Sequence, residues 1–199
     1  MICVLALDIA MHRTGWAIGT PVAGTHPAKG VFETENWPDH EGKNLHAFKT
    51  FLNAMRELYP ITHLVLEEVF VDVRGFGAKN FQFNGTQAQL MLSATALEWA
   101  YANGIEDFQA NIDNWRMRFL GLNRKPKESK KDDAYWKNLA LRVAAQEHNW
   151  FCEFHDEAEA LGIMHYALGE LDKDYKRRTN RLHNKQQVDQ MLGRGLHER

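Results

Sequence analysis

Val4-Leu5-Ala6-Leu7-Asp8-Ile9 is a near-continuous apolar run with one carboxylate close to its end. Such a run predicts a strand buried on both faces. An ionised group at its edge must be paired or must bind a cation, because removing it from water is costly. Thr14-Gly15-Trp16-Ala17-Ile18-Gly19 predicts the hairpin partner, with the turn over residues 10–13, and residues 30–35 predict a third antiparallel strand. The same apolar pattern returns at His63-Leu64-Val65-Leu66-Glu67-Glu68-Val69-Phe70, where Glu67 takes the place that Asp8 holds in the first run. A third acidic segment, His155-Asp156-Glu157-Ala158-Glu159-Ala160-Leu161-Gly162-Ile163, predicts a helix. Asp156 and Glu159, three apart, share one face of it.

Two strand-end carboxylates and an acidic helix start predict a cluster that meets in space. Clustered carboxylates repel one another and favour a hard cation with oxygen ligands, Mg²⁺ above all, whose usual protein partner is a phosphate-bearing substrate. Each acid alone is weak evidence, since an isolated strand-end Asp is more often a turn or cap residue.

Between these segments the chain alternates helix and strand. Residues 40–59 carry apolar side chains at a helical period, closed by Pro60, and residues 84–103 form an Ala- and Leu-rich helix that Gly104 stops. Residues 108–112 predict a short strand and 113–120 a short helix ended by Gly121. Residues 132–148 predict an amphipathic helix, 151–154 a last short strand, and 155–171 the acidic helix. Residues 71–83, with Gly75 and Gly77 among aromatics, hold no stable period and predict a loop.

The chain has 199 residues, 44% of them apolar and 25% charged, which suits one α/β domain with a modest extension. A formal charge of −2 argues against a polycationic nucleic-acid binder, yet the charge is uneven. From residue 172 onward eight bases, Lys173 to Arg199, face four acids, which predicts a basic C-terminal arm over 172–199 after a domain at 1–171. Cys3 and Cys152 are read as free thiols in apolar strands, not as a disulfide or zinc pair. No signal segment or membrane-length apolar run is present, so a cytoplasmic location is expected.

In order and spacing, Leu5-Ala6-Leu7-Asp8-Ile9 with Thr14-Gly15-Trp16-Ala17-Ile18, then Leu66-Glu67-Glu68-Val69-Phe70, then Asp156-Glu157-Ala158-Glu159-Ala160-Leu161-Gly162-Ile163 resemble the RuvC-type Holliday junction resolvases of the RNase H-like (retroviral-integrase) superfamily. Gly85-Thr86-Gln87-Ala88-Gln89 and Trp115-Arg116-Met117-Arg118-Phe119-Leu120-Gly121 sit where that family places related elements, so the likeness spans about residues 1–170. It implies an RNase H-like α/β fold, a mixed five-stranded sheet flanked by helices. It also implies a Mg²⁺-dependent endonuclease, with Mn²⁺ as an expected substitute, that resolves four-way DNA junctions in recombination or repair as a homodimer, in a bacteriophage or bacterial setting.

In that reading Asp8, Glu67, Asp156 and Glu159 are the catalytic metal ligands, holding two divalent ions about 3.5–4 Å apart across the scissile phosphodiester. The chain departs from the family twice: the last acid, usually Asp, is Glu159, and a second acid, Glu68, follows Glu67. A regular strand turns Glu68 to the opposite face, outside the cluster. His155 competes for a ligand role and is ranked below Asp156.

DNA contacts are expected from Arg116, Arg118, Arg124, Lys125, Lys127, Lys130 and Lys131, with Arg74 and Lys79 in the glycine-containing loop. Phe70 matches the family position whose aromatic stacks on an unpaired base. The bland alternatives are a solvated charge run and a core phenylalanine. The helix at 85–103 could serve as a dimer face or as ordinary core.

Three other functions stay open. A related nuclease could trim flaps, forks or RNA on the same fold. A sugar-kinase or actin-like ATPase would need a Gly-rich phosphate loop where Ala10-Met11-His12-Arg13 stands, a poor candidate. A non-catalytic branched-DNA-binding protein would have no need of all four acids.

Overall fold

The computed structural model describes residues 1–35, 39–69, 83–129, 132 and 134–180. Its sheet has five strands in the order β3-β2-β1-β4-β5. These are β1 (Val4–Asp8), β2 (Arg13–Gly19), β3 (Ala28–Glu33), β4 (His63–Glu67) and β5 (Glu106–Ala110). The first three form an antiparallel meander, while β4 pairs with β1 and β5 with β4 in parallel. Parallel neighbours need crossovers, and these are α1 (Glu41–Leu58) and α2 (Phe83–Ala102). The remaining helices are α3 (Ile112–Leu120), α4 (Tyr135–His148) and α5 (His155–Leu171).

Side-chain alternation divides the core between the two faces of the sheet. Val4 and Ala6 of β1, Ala17 of β2, Val65 of β4 and Ala110 of β5 face α3, α4 and α5. Leu5, Leu7, Ile18, Leu64 and Leu66 face α1 and α2. The residues toward α5 are the smaller ones, so that helix lies close to the sheet. A Cβ at Gly15 would collide with the Asp156 backbone carbonyl. On the outer side of α5, Gly162 leaves room for Trp115 and Phe119; a Cβ there would meet Phe119 Cδ1 at 2.7 Å and Trp115 Cζ3 at 2.9 Å.

Helix ends follow local chemistry. Asn111 caps α3 by accepting from the Asp113 amide at 3.1 Å, and Gly121 ends it at φ 72°. Asn149 closes α4 in the left-handed region at φ 57°. The strand expected at 151–154 is absent. Glu157 Oε2 accepts the backbone N–H groups of Glu153 (2.8 Å) and Phe154 (3.3 Å), so these amides cap α5 and are not available to a sheet ladder. Cys152 accordingly lies in a loop. Cys3 lies just before β1, and both thiols are free.

Residues 173–180 are helical and pack on the domain. Tyr175 Oη lies 2.9 Å from His165 Nδ1, Arg118 Nη2 donates to Thr179 Oγ1 at 3.3 Å, and Arg178 Nη2 donates to the Pro21 carbonyl at 2.5 Å. Among the described residues no helix is long and apolar enough to cross a membrane.

Candidate active site

The parity that sorts the core also sorts the acids. Asp8 follows Val4 and Ala6 at intervals of two, and Glu67 follows Val65, so both carboxylates project on the α5 side. β1 and β4 pair in register through Leu7 and Leu66, and the next residues on the two strands are Asp8 and Glu67. Gln89 of α2 fixes this end of β1, its side-chain amide donating to the Ile9 carbonyl at 2.9 Å. Glu68, on the opposite parity, is exposed and accepts from Asn111 Nδ2 at 3.1 Å, outside the cluster.

The N-terminus of α5 arrives over these strand ends. Burial, then the charges of Glu159, Glu67 and Asp156, push the Asp8 carboxyl well above the usual carboxylate range, with Lys137 opposing them. Glu159 is pushed up to about 7 by burial first and by Glu67 next, while Arg116 and Lys137 lower it. Glu67 is raised by burial and partly restored by the Trp115 indole, whose Nε1–H donates to Glu67 Oε2 at 2.7 Å, and by Arg116. Asp8, Glu67, Asp156 and Glu159 thus lie near enough to act on one another's charge. They are held together against their own repulsion, an arrangement that a bound cation relieves.

His155 joins them. His155, Asp156 and Glu159 each offer one ligand atom within 4.8 Å of the others. His155 Nδ1 lies 2.9 Å from Asp156 Oδ1 and 4.0 Å from Glu159 Oε2, yet it is buried and makes no hydrogen bond among the described residues. An imidazole nitrogen set against two carboxylates without a formed hydrogen bond, in a chain whose other donors there are oxygens, fits a divalent metal ion.

The expected DNA-contacting residues divide. Arg116 acts on the acids through its charge, lowering Glu67 and Glu159, and its guanidinium lies 4.7 Å from the Trp136 ring centroid and 5.4 Å from that of Trp115. Arg118, two residues on, is turned the other way. It lies against Gly169 and Thr179, and burial pushes its pKa down. Arg124 and Lys127 are exposed on the loop before α4, and Lys125 Nζ donates to the Asp132 carbonyl at 2.5 Å. Phe70, Arg74, Lys79, Lys130 and Lys131 lie outside the described residues.

Sequence reasoning missed two contributors. Lys137 of α4 influences both Asp8 and Glu159, and Trp115 holds Glu67 in place. Lys137 reads locally like any solvated helix lysine. Trp115 stood inside a quoted segment, but its role depends on a contact 48 residues away in the chain.

This is the fold of the RuvC-type resolvases. Thermus thermophilus RuvC superposes with a TM-score of 0.59 at 12% identity, over 81% of this chain and 90% of that one. T. thermophilus RuvC in complex with a Holliday junction substrate gives 0.60 at 10% identity, with the same coverages. The yeast mitochondrial Holliday junction resolvase Ydc2 gives 0.50 at 12% identity, over 91% and 85%. No protein-family model and no curated protein sequence matches the chain. At these identities the likeness is one of fold.

Proposed function

We propose that this protein is a divalent-metal-dependent endonuclease that cuts branched DNA, with the four-way junction as its principal substrate. The observation that carries this reading is the convergence of Asp8, Glu67, Asp156 and Glu159, with His155 beside them, at one end of the sheet in a fold shared with junction resolvases. The four carboxylates and His155 Nδ1 would hold Mg²⁺, with Mn²⁺ as the substitute. When bound, the metal supplies charge for the phosphate and makes a coordinated water more acidic.

The chain's own groups do the rest. Arg116 and Lys137 bring positive charge to the rim of the acidic cluster, where a phosphodiester must approach against four carboxylates. Trp115 holds Glu67 in one orientation through its indole N–H. Arg124, Lys125 and Lys127, with Lys130, Lys131, Arg74 and Lys79, would neutralise flanking phosphates, and Phe70 would stack on an unpaired base. Arg118 is assigned to packing of residues 173–180, not to DNA.

Two cuts of like polarity across a roughly two-fold junction need two sites, so the working form would be a homodimer. α2 supports a dimer face as well as a core face, since Ala88, Leu92, Ala96 and Trp99 are buried while Leu90 and Tyr101 are 43% and 87% exposed.

The test is to incubate the purified protein with a labelled four-way junction, the matched duplex and a flap, in Mg²⁺ and in EDTA. Cleavage of the junction ahead of the others, only with metal, is the expected result. Equal cutting of the flap would move the assignment to a general branched-DNA nuclease. Junction binding without metal-dependent cleavage would leave a non-catalytic scaffold.

A further inference from the structure

We infer that Arg13, with the cleft at the turn between β1 and β2, is a seat for a second DNA phosphate, next along the strand from the one at the acidic centre; this rests on the nuclease reading above. The cleft is open to solvent, has a volume of about 450 Å³, and is lined by Ala10, Met11, His12, Arg13, Glu33, Thr34, His155 and Asp156. His155 and Asp156 also belong to the acidic cluster, so the cleft and the centre share a wall.

Arg13 is held ready before any ligand arrives. Its Nε and Nη2 both donate to Glu33 Oε1, at 3.2 and 2.9 Å, and its guanidinium carbon sits 4.3 Å from the Phe154 ring centroid. Its side chain is 35% exposed. Nη1 stands 3.8 Å from Asp156 Oδ2, too far for a hydrogen bond, and is left with donors to spend. A guanidinium already fixed by stacking and by one carboxylate loses little freedom on gripping a phosphate oxygen, and its planar fork suits that group. His12, exposed on the same turn, adds a second donor at the mouth. The turn itself is rigid: Thr34 Oγ1 donates to the Met11 carbonyl at 2.6 Å, and the Thr34 amide to the His12 carbonyl at 3.0 Å.

The charge balance favours an anion there once Asp156 is engaged elsewhere. Between Glu33 and Asp156 the guanidinium is over-compensated; with Asp156 shared with a cation, Nη1 becomes the donor left facing the cleft. A phosphodiester one step from the cut would then be gripped by protein side chains while its neighbour sits at the acids. This would fix the register of the strand across the centre.

The experiment measures binding of the full-length protein to a four-way junction over a salt series, with Ca²⁺ in place of Mg²⁺ so that the acids hold a cation while cleavage is suppressed. Arg13→Gln keeps the aliphatic stem over Phe154 and removes the charge. It should weaken binding about tenfold at low salt and lower the slope of log affinity against log salt by about 0.9. A folded Arg13→Gln protein with an unchanged slope would mean that Arg13 only ties Glu33 to Phe154, and would overturn the seat while leaving the nuclease reading intact. A second measurement needs no variant: neutral methylphosphonates scanned along each strand should reveal one position, beside the cut, that weakens wild-type binding about tenfold. No such position overturns the seat. Wild-type protein that binds no branched DNA overturns both readings.

Discussion

Asp8 shows how much one carboxylate can report. Its place two residues after Ala6 fixes the face it points to, and burial first, then its acidic neighbours, raise its pKa against the single opposing charge of Lys137. Asp8→Asn, Glu67→Gln and Asp156→Asn should each abolish cleavage and leave junction binding equal or tighter, since a repulsive charge near phosphate is lost along with a ligand. Single-turnover cleavage in Mg²⁺ and binding in EDTA separate the two effects. A parallel fall in both would indicate misfolding, and undiminished cleavage would end the metal-site assignment. Glu159→Asp should retain cleavage, because it keeps the charge on the same helix face, and Glu159→Ala should impair it. If Glu159→Ala cleaves normally at limiting Mg²⁺ while His155→Ala does not, then the imidazole is the ligand and Glu159 a spectator. The face that each of the four acids takes was legible in the sequence because a period of two on a strand and a spacing of three on a helix are local facts. Arg118 was not: it carries the same charge as Arg116, and only the packing of residues 173–180 tells them apart.

At the scale of elements, the site depends on how closely α5 approaches β2 and on how α3 grips β4. Gly15 is the contact point of the first pair, since any Cβ there meets the Asp156 carbonyl. Gly15→Ala should therefore cost about 2–3 kcal/mol through overpacking and push Asp156 away from Asp8. Thermal melts with and without Mg²⁺ check both parts, because the variant should lose the stabilisation that Mg²⁺ gives the wild type. Trp115 is the link in the second pair. Its hydrogen bond lowers the pKa of Glu67, so Trp115→Phe should let burial raise that pKa further. The acid limb of the pH–rate profile should then move to higher pH; an unmoved limb with lower overall rate would make Trp115 a packing residue only. Strand and helix identities were readable from periodicity and from stops such as Pro60, Gly104 and Gly121. The segment 151–154 was misread because its apolar residues resemble a strand while its amides are committed to Glu157.

For the molecule as a whole, the resemblance implied a mixed five-stranded sheet, while the order β3-β2-β1-β4-β5 comes from the structure, since local pattern does not say which strands pair. What the whole fold adds is a store of unfavourable charge, and it has a thermodynamic signature. Glu159 moves from 4.5 to about 7 on folding, and Asp8 and Glu67 move in the same direction. Below about pH 3.8 for Asp8 and about pH 4.5 for Glu67 and Glu159 the groups are protonated in both states, and above about pH 7 Glu159 is ionised in both. Between these limits the folded chain binds more protons than the unfolded one, so its stability falls as pH rises. For Glu159 the shift amounts to roughly 3 kcal/mol at about 1.36 kcal/mol per unit, shared among the coupled acids. In EDTA the melting temperature should thus be higher at pH 5.5 than at pH 8, by roughly 5–10 °C for a chain of this size. Saturating Mg²⁺ should raise the value at pH 8 more than at pH 5.5, because a metal takes the deprotonated ligands. Histidines also titrate in this interval, so the decisive comparison is with Asp8→Asn, which removes one of the repelling charges and should melt higher than wild type at pH 8 in EDTA. If Asp8→Asn melts with the wild-type pH dependence, with and without Mg²⁺, the four carboxylates do not act as one electrostatic unit, and the metal-binding reading loses its physical basis.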